Sequence, residues 1–394
     1  MLHEHYTQNN PLFKEAIVKY FEEDKTLGGY KAFIEMPVKE HCCPRCGNIT
    51  TYIKDYRLQT VKDLPVLGKP LSVTVRKRRY VCKNCNATFT ENNPYIKRYC
   101  HFPERLYLES IKEALNLQSF SSIAKRLVTS VTSIIRWFDK IKFPHPKLPE
   151  CIAIDEFRGN AGGEKFQCNI ADPIKHKVID ILPSRNAEEL CKHFINYSYQ
   201  ERAKVKKVVM DLSSLFRSVA KIIFPEAKIV ADKFHVIRVV TNSLENVRKR
   251  IQKEFYATKR KWFKRSRYLL LKPEYKLSDK DRIELARMLN SSSELEKAYV
   301  LKEHFYEIFR KQTRSEAKKE LRDWLLLAAK LAIPEFKHCI TTFTNWRTEI
   351  ANIIDESVSN GFIEGSNNKI KVLKRISYGL RNFERFRNRI LYLQ

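Results

Sequence analysis

The stretch VKKVVMDLSSLFRSVAKIIFPEAKIVADKFHV, residues 205–236, changes between strand and helix patterns. A short apolar run ends at Asp211, a helical pattern follows, and a second apolar run leads into Asp232. The residues upstream have the pattern of three strands and a helix: CIAIDEF, KFQCNIAD, HKVIDILPS and NAEELCKHFINYS. Three strands, a helix, a strand, a helix and a strand form a mixed sheet of the ribonuclease H type. The sequence therefore predicts an α/β, RNase H-like core.

Two aspartates stand where these predicted strands end. Asp155 follows the apolar run Ile152–Ile154, and Asp211 follows another apolar run. A carboxylate inside a packed sheet costs several kcal/mol unless it faces solvent or a metal ion. Two-metal phosphoryl transfer needs oxygen ligands from several segments of the chain. The two aspartates therefore suggest a divalent-metal site, and a third acid is expected elsewhere.

The third acid is predicted in SVSNGFIEGSNNKIKVLKRISYGLRNF, residues 357–383. Glu364 begins a helical pattern there, and Asn368 and Lys371 follow at i+4 and i+7 on the same face. This spacing would bring a carboxylate, an amide and a cation toward one site. The alternative is a solvated helical acid among basic residues.

Four cysteines have the spacing of a zinc site. Cys43 and Cys46 in CCPRCGN, and Cys82 and Cys85 in YVCKNCNATFTE, form two Cys-x-x-Cys pairs that can bind one tetrahedral Zn²⁺. Cys42 is an alternative ligand beside the first pair, but Cys43 has the cleaner spacing. Since LSVTVRKRRYVC between the pairs alternates like a strand, we predict a zinc ribbon; redox or core thiols are the alternative.

Three short amphipathic helices are predicted next, in PERLYLESIKEALN, SFSSIAKRLVTS and SVTSIIRWFDKI. The tight joint between the second and third favours a helix-turn-helix, and a three-helix packing without DNA is the alternative. The third helix would then lie in the major groove, and the second helix would face phosphates. The predicted DNA-binding residues are Lys125, Arg126, Ser130, Thr132, Ser133 and Arg136.

Composition agrees with a nucleic-acid partner. The 394 residues contain 74 Lys and Arg against 45 Asp and Glu, a net charge of +29. A hydrophobic content of 43% excludes a wholly disordered basic protein. No apolar run is long enough for a membrane span, and the first residues lack the layout of a secretory signal, so a cytoplasmic protein at the nucleoid is expected. A basic binding protein without chemistry remains the alternative on charge alone.

These patterns predict six segments along the chain. A long, basic, helical stretch after the fifth strand cannot belong to the sheet and is interpreted as an insertion. Its Trp324 and Trp346 would either stack on an unpaired base or, more simply, pack in the core. The predicted segments are an N-terminal helical segment (1–40), the zinc ribbon (41–100), the helix-turn-helix (101–143), the first part of the core (144–235), the helical insertion (236–356) and the C-terminal core helices (357–394).

IDEF, MDLSSLFRSVAKIIFPEAKIVADKFHVIR and VSNGFIEGSNNKIKVLKRISYGLRNF resemble the transposases of the L-three family of bacterial insertion sequences. The resemblance runs from the zinc ribbon to the C-terminus. It implies a DDE core that cuts and rejoins DNA at the ends of the element, with two Mg²⁺ or Mn²⁺ ions at each active site. It also implies that the ribbon and the helix-turn-helix recognise those ends. By this resemblance Asp155, Asp211 and Glu364 form the metal-binding triad.

Asp232 and His235 in ADKFH resemble an Asp-x-x-His signature that follows the second aspartate in related transposase groups. The resemblance implies a supporting role near the site, while a plain helix start is the alternative. Asp232 is also an alternative to Asp211 as the second carboxylate, because both follow apolar strands. Asp211 is preferred because the family fold has that ligand on the earlier strand.

The function hypothesis is a DDE transposase. Water activated by divalent ions would hydrolyse a phosphodiester at the terminal inverted repeats, and the freed 3′-OH would attack target DNA. Pairing two element ends implies a homodimer or a higher oligomer on double-stranded DNA. The alternatives are a zinc-ribbon and helix-turn-helix DNA-binding regulator with an inactive core, and an RNase H-fold nuclease that cuts without joining.

Overall fold

A computed structural model describes residue 13, residues 16–355 and residues 361–393. The chain divides into two compact units. The first contains the residues up to Phe143 together with Leu373–Gly379 and Asn388–Leu393, and the second contains Pro144–Val372 and Leu380–Arg387.

The first unit contains a five-stranded sheet and a separate two-stranded one. The larger sheet has the order β1-β2-β6-β5, with β7 paired to β6, and only the β2–β6 pair is parallel. Leu71, Val73 and Val75 alternate along β6 and are buried in a small core. The strands are β1 (Ile17–Asp24), β2 (Gly29–Glu35), β3 (His41–Cys42), β4 (Ile49–Thr50), β5 (Ile53–Val66), β6 (Lys69–Val81) and β7 (Thr88–Thr90).

The helical prediction for residues 1–40 is wrong wherever the structure describes an element there; residues 1–12, 14 and 15 lie outside the described part. Ile17–Asp24 and Gly29–Glu35 are paired antiparallel strands. Both are rich in β-branched and aromatic residues, and the turn between them uses Gly28 at φ +63°. Because β2 also pairs with β6, tertiary pairing decides the structure against the helical spacing. The sheet thus crosses the predicted boundary at residue 40.

Three helices follow in the first unit, as predicted. They are α1 (Glu104–Glu113), α2 (Phe120–Arg126) and α3 (Val131–Phe138). The hydroxyl of Ser119 accepts a hydrogen bond from the Ser122 amide, and that of Ser130 accepts one from the Ser133 amide, so both serines cap a helix. Ile123, Ile134, Trp137 and Phe138 are buried, among others.

The second unit contains the predicted α/β sheet. Its order is β10-β9-β8-β11-β12, in which β10, β9 and β8 are antiparallel neighbours and β8, β11 and β12 run parallel. The predicted order of strands and helices is confirmed, with one further short helix before β11. The elements are β8 (Cys151–Phe157), β9 (Gln167–Asp172), β10 (Lys177–Leu182), α4 (Ala187–Ile195), α5 (Tyr199–Ala203), β11 (Lys207–Met210), α6 (Ser214–Ile223) and β12 (Lys228–Ala231).

The predicted long helical stretch is confirmed, and it begins at Lys233, directly after β12. Trp324 is fully buried and donates from Nε1 to the carbonyl of Leu301 at 2.8 Å, and Trp346 is also buried, so both are core residues. The helices are α7 (Lys233–Ile251), α8 (Ala257–Arg265), α9 (Arg267–Leu271), α10 (Asp279–Leu289), α11 (Ser293–Glu307), α12 (Arg314–Leu331), α13 (Lys337–Asn345) and α14 (Arg347–Asp355).

Two helices complete the described chain, α15 (Gly361–Ile376) and α16 (Phe383–Tyr392). The guanidinium group of Arg389 is buried and donates to the backbone carbonyls of Ala114, Asn116 and Gln118 in the first unit. This residue therefore fixes the loop between α1 and α2. Through all the residues described, we find no helix with the length and apolarity that crossing a membrane requires.

Candidate active site and zinc centre

Four thiols form a compact cluster in the first unit. The Sγ atoms of Cys43, Cys46, Cys82 and Cys85 all lie within 4.8 Å of one another. The Cys43–Cys85 and Cys46–Cys82 distances are 3.6 and 3.5 Å. Four sulfurs around a tetrahedral Zn²⁺ at about 2.3 Å lie about 3.8 Å apart, so these thiols fit one zinc ion. A hydrogen bond from the backbone amide of Asn48 to the sulfur of Cys46 is the main cause that lowers the pKa of Cys46 to about 6. The lower pKa favours the thiolate that binds zinc.

Both Cys-x-x-Cys turns have the same backbone geometry. Gly47 and Asn86 follow the second cysteine of their pairs and have φ values of +76° and +53°. The Gly47 amide donates to the Cys43 carbonyl at 3.0 Å, and the Asn86 amide donates to the Cys82 carbonyl at 2.8 Å. Cys42 is exposed and its thiol contacts the Gly47 carbonyl, outside the cluster. Cys43 is thus the cluster member, as predicted.

The register of the second sheet aligns three aspartates. The parallel ladders join Ile154 to Met210 and Met210 to Ala231 as their last pairs. Residues in register on parallel strands project to the same face, about 4.8 Å apart. The next residue on each strand is an aspartate, and we call these three side chains the aspartate row: Asp155, Asp211 and Asp232. Three neighbouring strands of the sheet therefore bring these carboxylates to the same edge of the sheet.

Two carboxylates of the aspartate row, Asp155 and Asp211, lie where the ionised form is disfavoured. Burial raises the pKa of Asp155 to about 6, and the charges of Asp211 and Asp232 contribute in the same direction. Burial also raises the pKa of Asp211, whose buried Oδ1 atom has no hydrogen-bond partner among the described residues. Carboxylate oxygens are the preferred ligands of Mg²⁺ and Mn²⁺. The donor set therefore fits a divalent cation.

Asp232 begins a helix and also forms a hydrogen bond with His235. Asp232 caps α7, because its side chain accepts from the Phe234 amide at 3.3 Å. The same carboxylate accepts from Nδ1 of His235 at 2.5 Å, and this hydrogen bond raises the pKa of His235. When His235 is protonated, its charge favours ionised Asp155 and Asp211. The same helix start thus also holds a titratable imidazole beside the aspartate row.

The helix that carries Glu364 contacts the row through a residue that was not predicted. Glu364 lies exposed on the first turn of α15, and Lys371 donates to Asn368 at 3.4 Å on the same exposed face. The buried stripe is shifted by one residue and includes Asn367, which donates to Oδ2 of Asp155 at 2.7 Å. Among the described residues, the cysteines are the one group of three or more metal-ligating side chains whose ligand atoms all lie within 4.8 Å.

A second unpredicted residue, Asn169 on β9, is fully buried and donates to Oδ1 of Asn367 at 2.8 Å. The sequence does contain a signal for both amides. Asn367 interrupts the apolar stripe of Ile363 and Ile370, and Asn169 interrupts a buried strand. A polar side chain in an apolar pattern marks a contact that must be satisfied.

The predicted DNA-binding residues divide into free and engaged side chains. Lys125, Thr132 and Arg136 are exposed on α2 and α3. Arg126 forms an ion pair with the buried carboxylate of Glu113. Ser130 and Ser133 are engaged in the cap of α3, where their hydroxyls lie 2.8 Å apart.

Comparisons with known proteins cover both regions. A family model described as a transposase, of the DDE type named for ISL3 elements, matches residues 152–390. A second, described as a zinc-finger of the transposases of IS204, IS1001, IS1096 and IS1165, matches residues 39–85.

Curated transposases match as well. The transposase for insertion sequence element IS1001 of Bordetella parapertussis is 24% identical over 365 residues, which cover 90% of this chain and 89% of that protein. The transposase for IS1557 of Mycobacterium tuberculosis is 26% identical over 236 residues, 54% of this chain and 53% of that protein.

A shorter match, 42% identical over 67 residues, is to a protein of Lactococcus lactis named ATP-dependent protease. It covers 17% of this chain and is too short to carry an activity. The transposase model, by contrast, spans more than half of the chain and includes all three aspartates of the row. The chain therefore belongs to the ISL3 family of insertion-sequence transposases.

Proposed function

We propose that the aspartate row is the centre at which this DDE transposase cuts and joins DNA. The observation that carries the proposal is the register of β8, β11 and β12, in which an aspartate directly follows the last parallel pair on each of the three segments. We further propose that this sheet is an RNase H-like core, formed by residues 144–235 and 357–394 and interrupted by the helical insertion at 236–356. The grouping of Pro144–Val372 and Leu380–Arg387 into one unit supports this assignment, whereas Leu373–Gly379 and Asn388–Leu393 group with the first unit.

Asp155 and Asp211 are proposed as two ligands of a pair of Mg²⁺ or Mn²⁺ ions, with Glu364 as the third. Such ions supply Lewis-acid activation of the attacking oxygen and neutralise charge on the leaving oxygen. The raised pKa values of both aspartates and the unpartnered Oδ1 of Asp211 support the assignment. The contact between Asn367 of α15 and Asp155 supports the choice of Glu364, which precedes Asn367 by three residues on the same helix.

Four further residues are proposed to support the reaction. His235, held by Asp232, would keep a proton on Nδ1 and offset the negative charge of the row. Asn368 and Lys371 follow Glu364 on the exposed face of α15, where an amide and a cation suit a contact to the DNA backbone. These groups would orient the phosphodiester at the element end for attack by water, and then a phosphodiester of the target DNA for attack by the freed 3′-OH.

Recognition of the element ends is assigned to the first unit. We propose that the zinc ribbon (41–100) and a helix-turn-helix (101–143) bind the terminal inverted repeats, with Lys125, Thr132 and Arg136 as exposed contacts on α2 and α3. Joining two ends to target DNA requires two active sites, so a homodimer or a higher oligomer is proposed for the synaptic complex.

The test is cleavage and joining of labelled DNA that carries the flanks of the gene's own locus, with Mg²⁺ or Mn²⁺. We expect wild-type protein to cut at the flanking repeats, and Asp155→Asn, Asp211→Asn and Glu364→Gln each to lose at least a thousandfold in rate while still binding DNA. Asp279→Asn, an exposed acid of the insertion, is the matched control and should cut normally.

Other outcomes identify the alternatives. Wild-type protein that binds the repeats but cuts with neither metal would indicate a DNA-binding regulator with an inactive core. Cutting that survives Asp211→Asn but not Asp232→Asn would assign the second metal ligand to Asp232. Cutting without any joined product would indicate a nuclease.

A further inference from the structure

Two buried amides form a directed chain that ends on the aspartate row. Nδ2 of Asn169 donates to Oδ1 of Asn367 at 2.8 Å, and Nδ2 of Asn367 donates to Oδ2 of Asp155 at 2.7 Å. Asn169 is fully buried and Asn367 is 5% exposed. Nothing in the DDE triad accounts for this pair.

The pairing of β8 with β9 sets the direction of this chain of hydrogen bonds. Asn169 lies opposite Asp155 in the β8–β9 register, so the two residues are cross-strand neighbours. Because Oδ1 of Asn367 is used to accept from Asn169, its amide nitrogen faces Asp155. The other oxygen of Asp155 accepts from the Glu156 amide at 2.8 Å. Two donors, one on each oxygen, therefore fix the plane of the Asp155 carboxylate.

The same contact anchors α15. Asn367 lies three residues after Glu364, so its buried amide and the exposed Glu364 carboxylate lie on neighbouring stripes of α15. Ile363 and Ile370 bury the same stripe and determine which face of α15 is buried. The hydrogen bond from Asn367 adds a directional contact that ties this face to Asp155, next to the turn that carries Glu364.

We infer that Asn367, held by Asn169, is a positioning residue that orients Asp155 and aligns the Glu364 turn with the aspartate row for metal binding. The inference rests on the proposed metal site. Groups that orient a ligand from behind it typically change metal affinity or activity by about 10- to 100-fold when they are removed.

The experiment measures Mn²⁺ binding to the full-length, zinc-loaded chain by isothermal titration calorimetry, without DNA. We expect Asn367→Ala to weaken Mn²⁺ binding by about tenfold or more. Asn242→Ala, the same change at an exposed position of α7, is the control and should bind as wild type. Asn367→Ala that folds and binds Mn²⁺ as tightly as wild type would overturn the inference.

A double-mutant cycle tests whether Asn169 and Asn367 act as one chain of hydrogen bonds. The Asn169 side chain donates to Ser366 and Asn367 of α15, so Asn169→Ala should act through Asn367 and weaken Mn²⁺ binding less than Asn367→Ala does. The double variant should be no weaker than Asn367→Ala alone, whereas additive losses would show two independent effects and contradict the chain. If Asn367→Ala does not fold, Asn169→Ala carries the test, and normal Mn²⁺ binding by it would overturn the inference.

Failure of the metal site is distinguishable from failure of the amide chain. Wild-type protein that binds no Mn²⁺, or Asp155→Ala that binds it normally, would contradict the proposed function. Mn²⁺ binding that needs Asp155 but is indifferent to both asparagines would leave the function in place and reject the positioning role alone.

Discussion

The carboxyl group of Asp155 has a pKa of about 6, raised from its ordinary value of 3.8 first by burial and then by neighbouring acids. Since the folded protein binds this proton more tightly than the unfolded chain does, ionised Asp155 destabilises the folded state. The destabilisation is absent well below pH 4, grows between pH 4 and pH 6, and is complete above pH 6.

Asp155→Asn should therefore stabilise the protein in buffer without added Mg²⁺ or Mn²⁺. We expect the free energy of unfolding at pH 7.5 to rise by on the order of 2 kcal/mol, and the gain to vanish as the pH approaches 4. Denaturant unfolding followed by tryptophan fluorescence measures it, because Trp262, Trp324 and Trp346 lie in the same unit as Asp155. A gain that increases toward low pH would contradict the assignment, and Asp279→Asn should show no such gain.

The sequence pointed to Asp155 but not to Asn367, the amide that donates a hydrogen bond to it. The sequence singled out Asp155 and Asp211 because burying an acid after an apolar run is costly unless it faces solvent or a metal ion, and the β8–β11 register aligns these two residues. The choice of Asn368 over Asn367 followed the face of Glu364, but the buried stripe lies one residue earlier. Helical spacing gives relative positions around a helix, whereas the face that packs is set by the sheet beneath it.

Substitution of single cysteines tests the zinc centre, and the neighbouring Cys42 provides the control variant. Cys43→Ser and Cys82→Ser each remove one of four ligands, so zinc content should fall from one ion per chain to near zero, with weaker binding to the element ends. Cys42→Ser should keep its zinc, because this exposed thiol lies outside the cluster. Mass spectrometry of the purified variants measures the number of zinc ions per chain. An unchanged zinc content in Cys43→Ser would contradict the zinc-ribbon assignment.

The helices α2 and α3 carry two arginines with different surroundings. Arg136 is exposed, so Arg136→Ala should weaken binding to the element ends about tenfold without changing thermal stability. Arg126 pairs with the buried carboxylate of Glu113, so Arg126→Ala should also cost about 1–3 kcal/mol of stability. Fluorescence anisotropy with labelled repeat DNA and thermal unfolding separate the two effects. Equal stability losses in both variants would contradict this division.

Strands and helices of the second unit were predictable because their patterns are strong and local. Apolar runs that end in acids predicted β8 and β11, and amphipathic spacing predicted α2 and α3 in the first unit. The N-terminal strand β1 was missed, since a partly exposed strand with irregular spacing mimics a helical pattern. Its partner β2 is held by β6, more than 30 residues away, and single-sequence periodicity carries no information on such a pairing.

The net charge of +29 makes a prediction about the whole chain on DNA. Lysines and arginines that meet phosphates release counterions, so the binding constant should fall steeply as salt rises. With about 6–10 phosphate contacts, affinity for DNA of random sequence should fall roughly 10³- to 10⁵-fold between 50 and 200 mM salt.

Sequence recognition should respond differently to salt, because base contacts release few ions. The ratio of affinities for repeat DNA and random DNA should stay nearly constant across the same salt range. Lys125→Ala should lower the logarithmic salt slope by about one while leaving that ratio unchanged, whereas Arg136→Ala should lower the ratio. Anisotropy titrations of both DNAs at four salt concentrations measure slope and ratio together. A slope near zero would mean that the excess charge does not contact phosphates, and a ratio that collapses with salt would mean that end recognition is itself electrostatic.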